Sequence, residues 1–254
     1  MPLTDREYRK KLGFTNQNAL KKYFKFTDQT IVNWDRIEQA NERLKDMFIK
    51  LNTVVNEQIR QDYMAEFIEK FAATYETLKD SNIIPRLNNF GRTPDDVYYN
   101  WMRGRLVCEF FLKALSKIFL VPECAICCIG NDNLMDVSTF SQTATADLEI
   151  TTVHGRLRLE VQSGFTGIND IKRHKVLEAR KVLDQQGIPS YVVHFDLFNG
   201  KAALINISSI EDTSIHWEHR AQLEDQTVFS IPHDAFCWDL TEPPPYYTGI
   251  LYQE

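Results

Sequence analysis

Residues 147–163 read DLEITTVHGRLRLEVQS, two runs of alternating apolar and polar residues around a glycine. Side chains alternate faces along a strand. In the first run Leu148 and Ile150 share one face, and Asp147, Glu149 and Thr151 share the other. In the second run Leu157, Leu159 and Val161 lie opposite Arg156, Arg158, Glu160 and Gln162. The pattern predicts a β-hairpin with His154 and Gly155 as its two-residue turn, the glycine supplying a positive φ. That register opposes Val153 to Arg156, Thr151 to Arg158, Glu149 to Glu160 and Asp147 to Gln162. Opposed residues point the same way, so every apolar side chain falls on one face. The other face gathers three carboxylates and an amide. Like charges opposed across a ladder destabilise it, and solvent, a nearby cation or a bound metal ion must offset that cost.

The chain of 254 residues is long enough for one large domain or two small ones. Its 43% hydrophobic and 25% charged residues suit a folded core and argue against disorder. No apolar run has the length of a membrane span, so no membrane association is expected. The first residues, MPLTDREYRKKLGF, lack the apolar centre of a secretion signal. Five cysteines without a scaffold spacing suit a reducing compartment, and the expected location is the cytoplasm.

A net charge of −6 is no global nucleic-acid footprint. The distribution is uneven. Residues 1–26 hold Arg6, Arg9, Lys10, Lys11, Lys21, Lys22 and Lys25 against Asp5 and Glu7. The run 171–181, IKRHKVLEARK, is also basic. Each run alone reads equally well as a solvated helix face.

Residues 1 to about 82 carry apolar residues at helical spacing. A loop with Pro and Gly follows, IIPRLNNFGR at 83–92. Thr93 then reads as an N-cap, with Pro94 first in the helix and Asp95 and Asp96 at its positive end; this helix is expected to run to about Phe119. CAICCIG (124–130) reads as a buried strand, followed by the hairpin strands and the glycine-flanked loop 164–167. Residues 169–187 form a helix capped by Asn169 or Asp170 and stopped by Gly187. SYVVHFDL (190–197) and KAALINI (201–207) are strands across the turn FNG, and LTEPPPYY (240–247) is an extended surface tail. The order predicts an α/β core behind a helical N-terminal part.

That element order and the acid spacing resemble the PD-(D/E)XK nuclease superfamily, which includes most type II restriction endonucleases. Its pattern is an acid on one hairpin strand, then (D/E)-x-K on the next, between flanking helices. TADLEI (145–150) matches with Asp147 and LEVQS (159–163) with Glu160. Gln162 stands where the family usually has lysine, as in an E-x-Q variant found among its restriction enzymes. The resemblance spans roughly residues 93–207. It implies a mixed central sheet flanked by helices in 91–254, a catalytic core with a C-terminal extension, and a helical region 1–90 for DNA recognition or dimerisation. It implies Mg²⁺ held by Asp147, Glu160 and the Val161 carbonyl, with Gln162 orienting water or meeting phosphate. Lys172 or Lys175 would restore the positive charge. The implied activity is sequence-specific cleavage of double-stranded DNA by a homodimer. A cognate methyltransferase would belong to the same prokaryotic or phage system. A repair or junction nuclease, and an inactive binding module, are the rival readings.

Glu109 sits among apolar neighbours in GRLVCEFFLKAL (104–115), where a carboxylate is costly unless paired or coordinated. By the resemblance it approaches the metal; by helix spacing Arg105 or Lys113 pairs with it. Both readings stand. For DNA phosphates the candidates are Lys21, Lys22, Arg103, Arg105, Lys172, Arg173, His174 and Lys175. CAICC contains a CxxC, but its apolar neighbours favour buried thiols over a zinc site. His216 and His219 read as surface or groove residues. Residues 15–37 fit a helix-turn-helix or packed amphipathic helices, with packing favoured. No Walker or dinucleotide glycine loop and no G-x-S-x-G is present.

Overall fold

The computed structural model describes residues 3–14, 16–25, 31–87, 92–130, 146–165, 169–210, 217–220 and 226–247. Four helices come first: α1 (Asp5–Leu12), α2 (Gln17–Lys25), α3 (Trp34–Val54) and α4 (Met64–Asp80). Thr4 and Glu7 cap α1 reciprocally, and Asn33 caps α3 through the backbone N–H of Arg36. Ile37, Leu44, Phe48 and Leu51 of α3 and Phe67, Phe71, Tyr75 and Leu78 of α4 recur at helical spacing and are buried. Next comes α5 (Pro94–Phe110), with Thr93 at the N-cap and Pro94 first, as expected, though the Thr93 side chain makes no cap bond. Its acidic first turn grips α3: Arg36 reaches Asp95 at 2.5 Å and Asp96 at 2.6 Å.

The expected single helix to Phe119 is broken at Phe111, and α6 (Leu112–Phe119) follows. The break lets two consecutive phenylalanines both be fully buried. Phe110 meets Phe48 and Phe67, while Phe111 stacks on Phe195 at 3.8 Å between centroids.

The remaining elements are β1 (Ile126–Cys128), β2 (Leu148–Thr152), β3 (Gly155–Gly164), β4 (Asp170–Lys172), α7 (Arg173–Gln186), β5 (Ser190–Asp196), β6 (Lys201–Asn206), β7 (Trp217–Arg220), β8 (Gln226–Ser230) and β9 (Trp238–Asp239). The main sheet is mixed, in the order β1-β2-β3-β5-β6-β9; β3 and β5 are parallel and the other pairs antiparallel. The chain between β3 and β5 passes through α7, the crossover a parallel pair requires. Helices cover both faces, as the sequence led one to expect. On one face a single buried cluster joins Ile37, Phe48 and Phe71 to Phe111, Leu159 and Phe195. On the other, Val176 and Ala179 of α7 meet Val192 and Ala203. A second antiparallel sheet, β4-β8-β7, was not foreseen.

Several expectations are corrected. The hairpin turn is Val153–His154, because Thr152 pairs with Gly155. Thr151 therefore faces Arg156, and Glu149 faces Arg158 rather than Glu160. A shift of two residues keeps the faces but replaces a carboxylate clash by attraction: Glu149 lies 3.3 Å from Arg156 and 3.5 Å from Arg158. The Thr152 hydroxyl braces the turn, donating to the Gly155 carbonyl and accepting from the His154 N–H. Asp170 is a strand residue, not a cap; α7 starts at Arg173 behind Lys172, while Gly187 ends it with φ +67 as expected. Cys127 and Cys128 are exposed rather than buried, because β1 is a short edge strand paired only with β2 among the described residues; Cys124 just before it and Cys237 are exposed as well. The tail does not stay on the surface. Tyr247 is buried against Phe119, its N–H donates to the Ile118 carbonyl, and its hydroxyl meets that of Tyr191 at 2.8 Å. His216 and the side chains of Lys22 and His219 lie outside the described residues. No described helix is long and apolar enough to cross a membrane.

Phe111→Ala empties the stack against Phe195 and is expected to cost about 3–5 kcal/mol in urea unfolding. A loss below about 1 kcal/mol would contradict a core organised around that ring pair.

Candidate active site

The pairing of β2 with β3 ends at Leu148 opposite Leu159. Beyond it Asp147 turns its carboxylate onto the neighbouring strand, where Oδ2 accepts the Val161 N–H at 2.7 Å. Its carbonyl accepts the N–H groups of Ile129 and Gly130 at 3.0 and 3.3 Å. Asp147 is thus fixed at both its main chain and its side chain. From Glu160 to Gly164, β3 keeps its pairing with β5 but has no β2 partner among the described residues. Among the described residues no strand covers this side of β3 beside the two acids.

Glu160 points to the α7 side of the sheet and is 9% exposed. Val176, Ala179 and Val182 bury one face of α7, which brings Lys175 over the carboxylate. Lys175 Nζ donates to Glu160 Oε2 at 2.8 Å. Burial first, then the negative charge of Asp147, push the Glu160 carboxyl up to about 7, against the opposing pull of Lys175 and Lys172. Both acids and both lysines therefore share one electrostatic site. A cavity of about 20 Å³ lies beside Glu160, lined also by Arg158, Lys175 and Glu178, with room for about one water.

Gln162 follows on the same face of β3. Its Oε1 lies 3.4 Å from Nδ1 of His194 on β5. His194 is buried, and its Nε2 has no partner among the described residues. Burial lowers its pKa to about 4 despite Asp196 and Asp170, so the ring is neutral at pH 7. Sequence reasoning missed His194; a lone polar residue in the apolar run SYVVHF was its signal.

Glu109 takes the helix pairing, with Arg105 Nη2 at 2.8 Å from its Oε1. Lys113, the other helix candidate, pairs instead with Asp62. Burial raises the thiols of Cys108 and Cys128, and Asp147 and Glu109 each add to that rise. Arg105 also lies over the Trp101 ring. Arg103 lies over the rings of Phe165 and Tyr99, and burial lowers its pKa. Lys172 precedes α7, and Arg173 and His174 are exposed in its first turn. Lys21 is exposed on α2.

Among the described residues no group of three or more His, Cys, Asp or Glu side chains is placed to hold a metal ion. Two carboxylates with a strand carbonyl form an all-oxygen set. That set suits Mg²⁺, which keeps several of its waters and needs few protein ligands. Asp147 raises the Glu160 carboxyl through its charge, a repulsion that a cation would relieve. The positive end of α7, with Lys172 and Lys175, adds an anion-attracting wall. Together the groups can bind a phosphodiester beside a hard cation.

No protein-family model matches the chain, and no curated protein is significantly similar to it. Among solved structures it is similar to Hjc of Archaeoglobus fulgidus, a Holliday junction resolvase, with a TM-score of 0.34 and 11% identity over 53% of this chain and 87% of that one.

The raised Glu160 carboxyl makes metal-free folding pH-dependent. The folded state holds that proton more tightly than the unfolded chain, so its stabilisation is complete below about pH 4.5 and lost as pH rises through about 7. In EDTA, the urea midpoint is expected to fall across that window, and Glu160→Gln to flatten the fall. Identical pH profiles for the two proteins would contradict the assignment.

Proposed function

We propose that this protein is a Mg²⁺-dependent DNA endonuclease that hydrolyses phosphodiester bonds at Asp147 and Glu160. The observation that carries this reading is the lysine held on Glu160 from α7. Gln162 occupies the strand position where a motif lysine would stand, and Lys175 delivers an ammonium to the same carboxylate from another element. The inactive-module reading rested on a missing lysine, and Lys175 weighs against it.

Asp147, Glu160 and the Val161 carbonyl are the groups that would hold the ion. When bound, a divalent cation stabilises charge at the phosphoryl and leaving oxygens. The chain's own residues do the rest. With a cation held there, Lys175 would turn its N–H groups from Glu160 to a phosphate oxygen or to the attacking water. Gln162 positions that water through its amide. Lys172 and the first turn of α7 hold the phosphate on the same side. Glu109 acts indirectly, through its hold on Arg105. Arg103, Arg105, Arg173, His174, Lys21 and Lys22 are the proposed backbone contacts.

In its finer form the reading is a type II restriction enzyme. Residues 1–90 would serve recognition or dimerisation, residues 91–254 would cut, and a homodimer would sever both strands of a site. A methyltransferase of the same system would protect host DNA without needing to touch this chain.

Purified protein with unmethylated phage DNA is expected to give discrete bands in Mg²⁺ and none in EDTA. Asp147→Asn and Glu160→Ala should each lower the rate by about 10³-fold or more, and Lys175→Ala by about 10²-fold. Smearing that needs Glu160 would move the role towards repair or junction cutting. Intact DNA from several sources in every lane would overturn the nuclease reading.

A further inference from the structure

His194 is a buried histidine that the proposed reaction leaves unused. On β5, Val192 and His194 share the face towards α7. The Phe236 ring, from the buried cluster that includes Val192, meets the His194 ring edge-on at 5.8 Å between centroids. The strand register sets His194 beside Gln162 of the parallel strand β3. His194 is only 3% exposed, whereas Gln162 is half-buried.

The surroundings of the ring decide which nitrogen holds its proton. Nδ1 lies 3.4 Å from Gln162 Oε1, and Nε2 has no hydrogen-bond partner among the described residues. In folded proteins a buried N–H without an acceptor is rarer than an acceptor without a donor. The single proton of the neutral ring therefore belongs on Nδ1, where it donates to the amide oxygen. Turning the amide round, so that its nitrogen donated to Nδ1, would move that proton to Nε2 and orphan it. A doubly protonated ring would donate from Nδ1 as well, so the direction of the contact does not depend on the ring's charge.

That direction bears on the acids. Gln162 follows Glu160 on the same face of β3, about 7 Å along the strand. β5 lies on one side of β3, and Asp147 reaches β3 from the other. An amide whose oxygen is drawn towards β5 turns its N–H₂ group to the side of Asp147. It then offers donors there, as the ammonium of a strand lysine would.

We propose that His194 is a positioning residue: it holds the Gln162 amide oxygen and so aims the amide N–H groups at the water or phosphate oxygen at the cut. This inference deepens the DNA-cleaving reading above and rests on it.

Full-length protein, labelled with ¹⁵N-histidine and free of metal, shows which ring nitrogen carries the proton. Among the six histidines, the His194 signals are those that His194→Asn removes. Nδ1 is expected to be protonated and Nε2 bare; the reverse overturns the proposal. This spectrum is read on the wild type, so it decides even where a variant does not fold. In Mg²⁺, His194→Leu is expected to lower kcat about tenfold or more with KM little changed. His194→Asn, which returns an N–H donor near the place of Nδ1, should recover most of that loss. In a Gln162→Ala background His194→Leu should add little, because the group it positions is gone. Losses that multiply in the double variant reveal a general packing defect and overturn the proposal, as does a full rate in His194→Leu. Cleavage that still needs Glu160 then leaves the nuclease reading standing. A wild type that cuts no DNA overturns both.

Discussion

The ion pair between Lys175 and Glu160 is the contact on which the site depends. A carboxylate buried between a sheet and a helix must be paired, protonated or coordinated. Here Asp147 sharpens the requirement by adding a second negative charge, and Lys175 meets it from outside the strand. That geometry explains why Lys175 stands beside the apolar stripe of α7. The helix docks through Val176, Ala179 and Val182, and docking places the ammonium. Packing and the proposed site therefore share one helix.

The end of the described β2–β3 pairing just before Glu160 has a separate cause. Asp147 spends one carboxylate oxygen on the Val161 N–H and its carbonyl on Ile129 and Gly130, which stops the β2–β3 ladder at Leu159. A strand edge freed in the middle of a mixed sheet is where backbone and side-chain oxygens can both face a ligand. The other face of the sheet is closed by the helices. Phe111 on Phe195 and Arg36 on Asp95 and Asp96 tie the N-terminal helices and α5 to the same core. Among the described residues, that edge of β3 is the side at the acids that no strand covers.

Much of this was legible in the sequence because it obeys short-range rules. Strand alternation marked the hairpin and its acids, Pro94 and the two aspartates marked the start of α5, and Gly187 marked the end of α7. The register was not legible. A shift of two residues preserves every face, so periodicity cannot distinguish the pairings, and the choice falls to the attraction of Glu149 for Arg156 and Arg158. The break at Phe111 was hidden because both phenylalanines suit a helix; only the rings they meet in space require the turn. Asp170 looks like a helix cap until β8 pairs with it, and β8 is distant in sequence. Lys172 and Lys175 were equal candidates on charge alone, and helix rotation decides that Lys175 touches Glu160. His194 was hidden inside an apolar strand, its meaning visible only beside Gln162.

The most direct test of the account is to move the lysine. Lys175→Gln removes the ammonium from α7, and Gln162→Lys in the same chain returns one from the strand. Cleavage rates in Mg²⁺ are measured for the wild type, the single variant and the pair. The account predicts that Lys175→Gln is severely slowed and that the second change recovers a substantial part of the lost rate. Full activity in Lys175→Gln alone, or an inert wild type on every DNA offered, would contradict it.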